Sequence, residues 1–359
     1  MRHNRERATG PEYKDPLSPP PPGDPVFNPD LNVWALSRYA DVMAALREPA
    51  LWPVAPRKAK NLKIPDETAL QALRARVLDA FSSSRLNQWK KQIERVAEVL
   101  PIGYPFDLVT GFAEPLCLAS AEIVTGSNPA DRESLLAAAR IVSRAAAEPY
   151  DEALRLCATQ ADAELEHYFR DAAIPIAGPT FVALSRTVAC LLASGWLALF
   201  RHPAELAKIG ASPDGIPKAI EEILRYACVP QSVFRHASRP LGLCGLQLAE
   251  GDRLVLQIAS ANRDPLQFSD PDRFNSARRE ASHLSLGFGL HSCVGGALIR
   301  MTAATATRAF AERLGSCEIC GPVEWQGGAG FRSPATLRVQ QPAGTSPNFP
   351  VPRAGFARS

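Results

Sequence analysis

The amino-acid sequence predicts a mainly α protein with small β-sheets, an α+β fold in one domain. Helical spacing of apolar residues recurs along most of the chain, whereas β-branched, alternating runs are short and few. With 46% hydrophobic residues among 359, the chain also has the apolar content for a large core.

Residues 1–18 are charged and proline-rich and are expected to be disordered. They lack the apolar run of a signal peptide or membrane anchor. Pro19–Pro22 reads as extended polyproline and opens a domain expected over residues 19–340. NVWALS (32–37) reads as a strand, and RYADVMAALREP (38–49) as a helix that stops at Pro49. ETALQALRARVLDAF (67–81) and LNQWKKQIERVAEVL (86–100) are amphipathic helices. TFVALSRTVACLLASGWLALF (180–200) is apolar on nearly every side, the pattern of a helix buried through the centre of a fold. PKAIEEILRYA (217–227) is a further helix, while RLVLQIAS (253–260) and ATLRVQ (335–340) have strand character. The polar, Pro/Gly-rich residues 341–359 read as a flexible tail.

Charge narrows the function classes. A net charge of +3, from 40 basic and 37 acidic residues, gives no signal for nucleic acid or an anionic membrane. The eight cysteines form no disulfide framework, as expected of reduced thiols in the cytosol. Cys317 and Cys320, the single C-x-x-C pair, fall in a strand-like stretch. Chance spacing is the simpler reading, and a redox or metal pair the other.

The chemistry concentrates in SLGFGLHSCVGGALIR (285–300). Three readings of Cys293 compete: a small buried hydrophobe, a nucleophile with His291 as its base, or a metal or haem ligand. The loop favours the third. Gly287, Gly289, Gly295 and Gly296 let the backbone approach something flat and bulky. A helix opens just after Cys293, and its amides favour a thiolate. No C-x-x-C or His pair surrounds the thiol to complete a zinc site.

LGFGLHSCVGGALIR resembles the cysteine-ligand loop of the cytochrome P-450 family. Cys293 matches the axial thiolate on haem iron, Gly289 and Gly295 the characteristic glycines, and His291 a haem-propionate partner. EEILRY matches the family's E-x-x-R helix through Glu222 and Arg225, and DPDRF offers Arg273 to complete a Glu–Arg–Arg cluster. VFRHA matches the strand whose arginine, here Arg235, meets a propionate, and Arg74 matches a second propionate arginine. The matches run in family order through roughly residues 19–340 and resemble the soluble bacterial members.

The resemblance implies the P-450 fold and haem b. It implies a haem-thiolate monooxygenase that inserts one oxygen atom from O2 into a small organic substrate. Electrons would come from a separate ferredoxin-type donor and its reductase, since no G-x-G-x-x-G follows a strand. Lys90, Lys91, Arg95 and Arg76 are candidates for its docking face. A substrate pocket is expected from Ala183, Thr187, Val229, Val233 and the 50–66 loop.

The chain also departs from the family pattern. Leu286 stands where an aromatic usually packs over the sulfur, and Leu70 where a propionate histidine usually stands. Little chain is left for helices before the central one. ALSRT (183–187) falls on the oxygen-activating A-G-x-[D/E]-T: Thr187 is kept, but the glycine is Leu184 and the acid is Arg186. The central helix offers Arg186 no acidic partner, so solvent or an anionic substrate is expected to meet it; the other reading is that Arg186 points away from haem and pairs elsewhere. Two alternatives follow: a peroxide-dependent enzyme that holds a carboxylate substrate through Arg186, or a haem-binding protein without turnover.

Overall fold

The computed structural model describes residues 17, 19–53, 67–148, 151–280, 282–328 and 330–342. The expected N-terminal segment (Leu17 apart), most of the 50–66 loop and all but the first residues of the expected tail lie outside them.

Twelve α-helices are described: α1 Tyr39–Arg47, α2 Glu67–Ala80, α3 Ser83–Val99, α4 Glu114–Thr125, α5 Arg132–Ala147, α6 Glu152–Tyr168, α7 Ala177–Val182, α8 Ala189–Arg201, α9 Pro203–Ala211, α10 Ile216–Tyr226, α11 Ile258–Ala261 and α12 Gly296–Leu314. Their ends follow from local chemistry. The first amide of α1, on Tyr39, donates to Asp264 Oδ2 at 2.8 Å. Asp151 caps α6 through Leu154 N at 2.9 Å, and Gly126 closes α4 with φ 73°.

The strands are β1 Val26–Asn28, β2 Val33–Leu36, β3 Leu51–Pro53, β4 Phe106–Asp107, β5 Val233–Ala237, β6 Leu241–Leu243, β7 Leu246–Leu248, β8 Arg253–Leu256, β9 Glu318–Ile319, β10 Trp325–Gly327, β11 Arg332–Pro334 and β12 Arg338–Gln340. A five-stranded sheet runs β1-β2-β8-β5-β3, parallel only between β2 and β8. The remainder forms a three-stranded sheet, β4-β12-β9, and the hairpins β6-β7 and β10-β11.

The helical core is centred on α8 and α12. Trp196, fully buried, stacks on Phe310 at 4.7 Å and 15° and lies 5.8 Å from Phe112. A β-carbon on Gly195 would lie 2.5 Å from Ile223 Cγ2, so only glycine lets α8 approach α10 this closely. A second core joins α1 to the five-stranded sheet through Leu36, Val42, Leu51 and Leu254.

The buried central helix expected over 180–200 runs from Ala177 to Arg201. It is long and apolar enough to cross a membrane by length and composition, yet most of it is buried within the fold. Between α7 and α8 it widens into a π-helical turn, Ala183–Val188. Such turns reach back one residue further than α and cluster at functional sites. The connection from Tyr168 to Ala177 holds no helix or strand, as its short sequence implied.

Candidate functional site around Cys293

The loop before α12 is folded on itself by backbone bonds. Cys293 N donates to Leu286 O at 2.7 Å, Gly287 N to Leu284 O at 2.9 Å and Ser292 N to Gly289 O at 3.1 Å. Gly289 has φ +70°, and a β-carbon there would lie 3.0 Å from Leu46 O of α1. Glycine is therefore required both for the turn and for the close approach to α1. Cys293 keeps solvent contact. Desolvation by the protein behind it raises the thiol pKa, while the Gly295 amide and the Arg300 and Arg74 guanidinium groups pull it down. Leu286 packs against the helical core, its Cδ1 3.4 Å from where Gly296 would carry a β-carbon.

Three nitrogen donors gather at this loop. Arg74 on α2 donates through Nη1 to Ser292 O at 2.6 Å and through Nη2 to Ser292 Oγ at 2.9 Å. Arg235 on β5 is 8% exposed and donates to Phe234 O at 2.9 Å. No carboxylate pairs with it among the described residues, and burial pushes its pKa down to about 10. His291 sits edge-on to Trp52 at 5.7 Å, with a buried Nε2 that has no hydrogen-bond partner. Its pKa is lowered by burial and then by the charges of Arg235 and Arg74.

A buried guanidinium and an orphaned imidazole nitrogen beside each other are costly unless an anion meets both. A thiol on an open loop, with carboxylate-binding donors alongside, fits haem and its two propionates.

The central helix sets Leu184 apart from Thr187 and gives Arg186 a partner. Leu184 is 1% exposed and lies in the helical core with Ser185 and Val188, whereas Ala183 and Thr187 are half-buried on another side of the π turn. The leucine therefore neither removes the widened turn nor shares the face of Thr187. Arg186 does have an acidic partner: Nη1 donates to Glu114 Oε1 of α4 at 2.9 Å. The reason is tertiary, because α4 packs along the turn and brings in a carboxylate that the central helix lacks. Arg186 Nε remains buried without a partner.

The E-x-x-R helix forms the expected cluster with one member changed. Glu222 accepts from Arg225 Nε and Nη2 at 2.8 Å each, and both side chains are 2% exposed. The second arginine is Arg278, whose Nε lies 3.2 Å from Glu222 Oε2 with its side chain 5% exposed. Arg273 is exposed and offers only its carbonyl, which accepts from Arg225 Nη2 at 3.3 Å and Arg278 Nη2 at 3.0 Å. The turn closed by Arg278 N to Asn275 O brings the later arginine back over Glu222. No spacing in the sequence marks that reversal.

Of the expected pocket residues, Ala183, Thr187 and Val233 are half-buried, while Val229 lies in the core at 1% exposure. The 54–66 part of the loop is outside the described residues. A groove of about 800 Å³ lies elsewhere, between α5 and α6, lined by Leu135, Leu156, Gln160 and Tyr168, and shares no residue with the Cys293 site. Cys317 is buried with its Sγ 2.9 Å from the Tyr104 hydroxyl, and no metal-binding cluster occurs among the described residues.

Comparison with known proteins agrees with this geometry. The family model described as Cytochrome P-450 matches residues 216–309, which span the E-x-x-R helix and the thiol loop. The chain is 30% identical to the cyclomarin C epoxidase CymV of Salinispora arenicola, over 86% of this chain and 90% of that protein. It is 27% identical to cytochrome P-450 CYP199A2 of Rhodopseudomonas palustris, over 89% and 88% of the two chains. The crystal structure of Mycobacterium smegmatis CYP164A2 with econazole bound superposes with a TM-score of 0.78 at 24% identity, covering 88% of this chain and 93% of that one. A glycine-cradled thiol, donors suited to haem carboxylates, the buried Glu–Arg cluster and this degree of similarity lead to one assignment: the chain belongs to the cytochrome P-450 family and is a haem-thiolate monooxygenase.

Proposed function

We propose that this enzyme is a single-domain cytosolic protein, folded over residues 19–340, that inserts one oxygen atom from O2 into a small organic molecule. A separate ferredoxin-type donor with its reductase would supply the electrons. The observation that carries the reading is the buried, carboxylate-free Arg235 beside the orphaned His291 Nε2, next to an accessible Cys293. Haem b, held through Cys293, would supply oxygen activation, which a thiolate ligand would favour by electron donation.

Each residue here has a defined task. Cys293 holds the iron, and Arg74, Arg235 and His291 orient the propionates. Gly289 and Gly295 keep the loop close and flat. Thr187 would offer its Oγ1 as the hydrogen-bonding hydroxyl for oxygen activation. Ala183 and Val233 supply apolar substrate contact. Glu222, Arg225 and Arg278 hold the segment leading to the loop. Lys91, Arg95 and Arg76 are exposed on α3 and α2 and suit an acidic electron donor, while Lys90 is partly engaged by Glu94 at 3.7 Å.

The test has two parts. The reduced CO adduct should show the red-shifted Soret band of a thiolate haem, and Cys293→Ala should lose it. Candidate substrates supplied with NADPH and a surrogate ferredoxin system, or with peroxide alone, should yield product in the first arm. Product from peroxide alone would replace O2 as the oxidant, and a red-shifted band in Cys293→Ala would remove Cys293 as the ligand.

A further inference from the structure

Beside the thiol loop lies a charged network to which the proposed chemistry gives no task. Arg300, on the second turn of α12, donates through Nε to Glu221 Oε1 at 2.6 Å and through Nη2 to Glu221 Oε2 at 2.9 Å. Glu221, on α10, also meets His283 Nε2 at 3.2 Å. The His283 ring accepts at Nδ1 from Ser285 N at 3.3 Å, which leaves Nε2 as the donor to Glu221. The guanidinium is thus held along its Nε–Nη2 edge, and its carboxylate is held from behind by a ring that is 7% exposed.

The direction in which the network points distinguishes it from an ordinary surface ion pair. Arg300 Nη1 lies over Gly296, 3.1 Å from where a β-carbon would stand, so the missing side chain makes room for it. Gly295, the preceding residue, would carry its β-carbon 3.8 Å from Cys293 Sγ. Arg300 Nη1 therefore rests on the backbone of Gly296, next in the chain to the glycine that lies against Cys293 Sγ. An exposed pair of this kind contributes little to stability. A fixed positive charge beside a ligand sulfur acts instead on the energy of adding an electron to the iron–sulfur unit.

We propose that Arg300 is a positioning residue for electron uptake: its guanidinium, clamped over Gly296 by Glu221 and, through Glu221, by His283, sets the reduction potential of the iron bound by Cys293. The proposal rests on the thiolate assignment above. Reduction adds one negative charge to the iron–thiolate unit. Losing the guanidinium disfavours that step, whereas neutralising its counter-ion while keeping an acceptor in place favours it. The two ends of one ion pair should therefore move the potential in opposite directions, whereas a structural role for the pair would move it the same way from either end.

The experiment is a spectroelectrochemical titration of the haem-loaded enzyme with Arg300→Gln, Arg300→Lys, Glu221→Gln and the Glu221→Gln/Arg300→Gln pair. Arg300→Gln should lower the one-electron reduction equilibrium at least threefold, a fall of about 28 mV. Glu221→Gln should raise the midpoint, Arg300→Lys should stay near the parent, and the double variant should return toward it. Both shifts should shrink at high salt. Shifts of the same sign, or none, in variants that keep the red-shifted CO band would overturn the role of Arg300. Absence of that band in the parent enzyme would instead overturn the thiolate assignment. Should Arg300→Gln fail to take up haem, the direction of the Glu221→Gln shift decides the question alone.

Discussion

Arg186 on the central helix and Glu114 on α4, 72 positions apart in the chain, form an ion pair at 2.9 Å with side chains 13% and 31% exposed. The pair takes up the guanidinium directly before Thr187. It leaves Arg186 bound to a neighbouring helix.

Arg186→Ala is therefore expected to leave the relative affinity for carboxylate and neutral ligands within about twofold. It should destabilise the fold by about 1–3 kcal/mol by unpairing Glu114. Replacing both partners with leucine should recover most of that loss. Spectral titration with matched carboxylate and neutral compounds, together with urea unfolding, checks both statements. A tenfold selective loss of carboxylate binding would return Arg186 to the substrate site.

Arg235 should have opposite effects on the apoprotein and the haem-loaded enzyme. As an unpaired buried cation with its pKa held near 10, it penalises the apoprotein at neutral pH, and the penalty is relieved as pH rises above 10. Arg235→Met should stabilise the apoprotein by roughly 1–3 kcal/mol while speeding haem loss about tenfold or more. Apoprotein denaturation and haem transfer to an acceptor globin measure the two. Equal destabilisation of both forms would contradict the propionate assignment.

The corrected Glu–Arg cluster makes unequal demands on three arginines. Removing Glu222 should cost about 3–5 kcal/mol, since it strands two buried guanidinium groups. Arg278→Ala should be strongly destabilising, because its side chain is 5% exposed and bonded to Glu222. Arg273→Ala, with an exposed side chain, should stay within about 0.5 kcal/mol of the parent. A large loss from Arg273→Ala with none from Arg278→Ala would reverse the assignment.

Acid should act through Glu221. Burial opposes its ionisation, but bonds from His283 and Arg300 overcome that and hold the carboxyl down to about 2. A depressed carboxyl stabilises the fold above its ordinary value near 4.5 and loses that contribution as pH falls toward 2. Because the side chain is 45% exposed, the effect should be modest and weakened by salt. Urea midpoints between pH 5 and pH 3 should fall less steeply in Glu221→Gln than in the parent, and parallel curves would count against the linkage.

Several parts of the site could be read from spacing. The thiol loop needs its glycines within a few residues of Cys293, and the E-x-x-R pair needs an i,i+3 spacing, so both were legible in the sequence. Arg278 was not, because the turn at Asn275 decides which arginine reaches Glu222. His283 and Arg300 were equally silent, since only α10 brings Glu221 between them.

The sequence by itself determined the helical class, the central helix, the thiol and its loop, and the order of the motifs. These depend on periodicity, backbone freedom and residue type within one or two turns of chain. The tertiary structure decided what each charge faces: Arg186 meets Glu114, Arg278 displaces Arg273, and Arg235 meets no carboxylate among the described residues. A buried charge must find a partner through space, and which distant segment supplies it depends on how the helices pack, which local spacing does not encode.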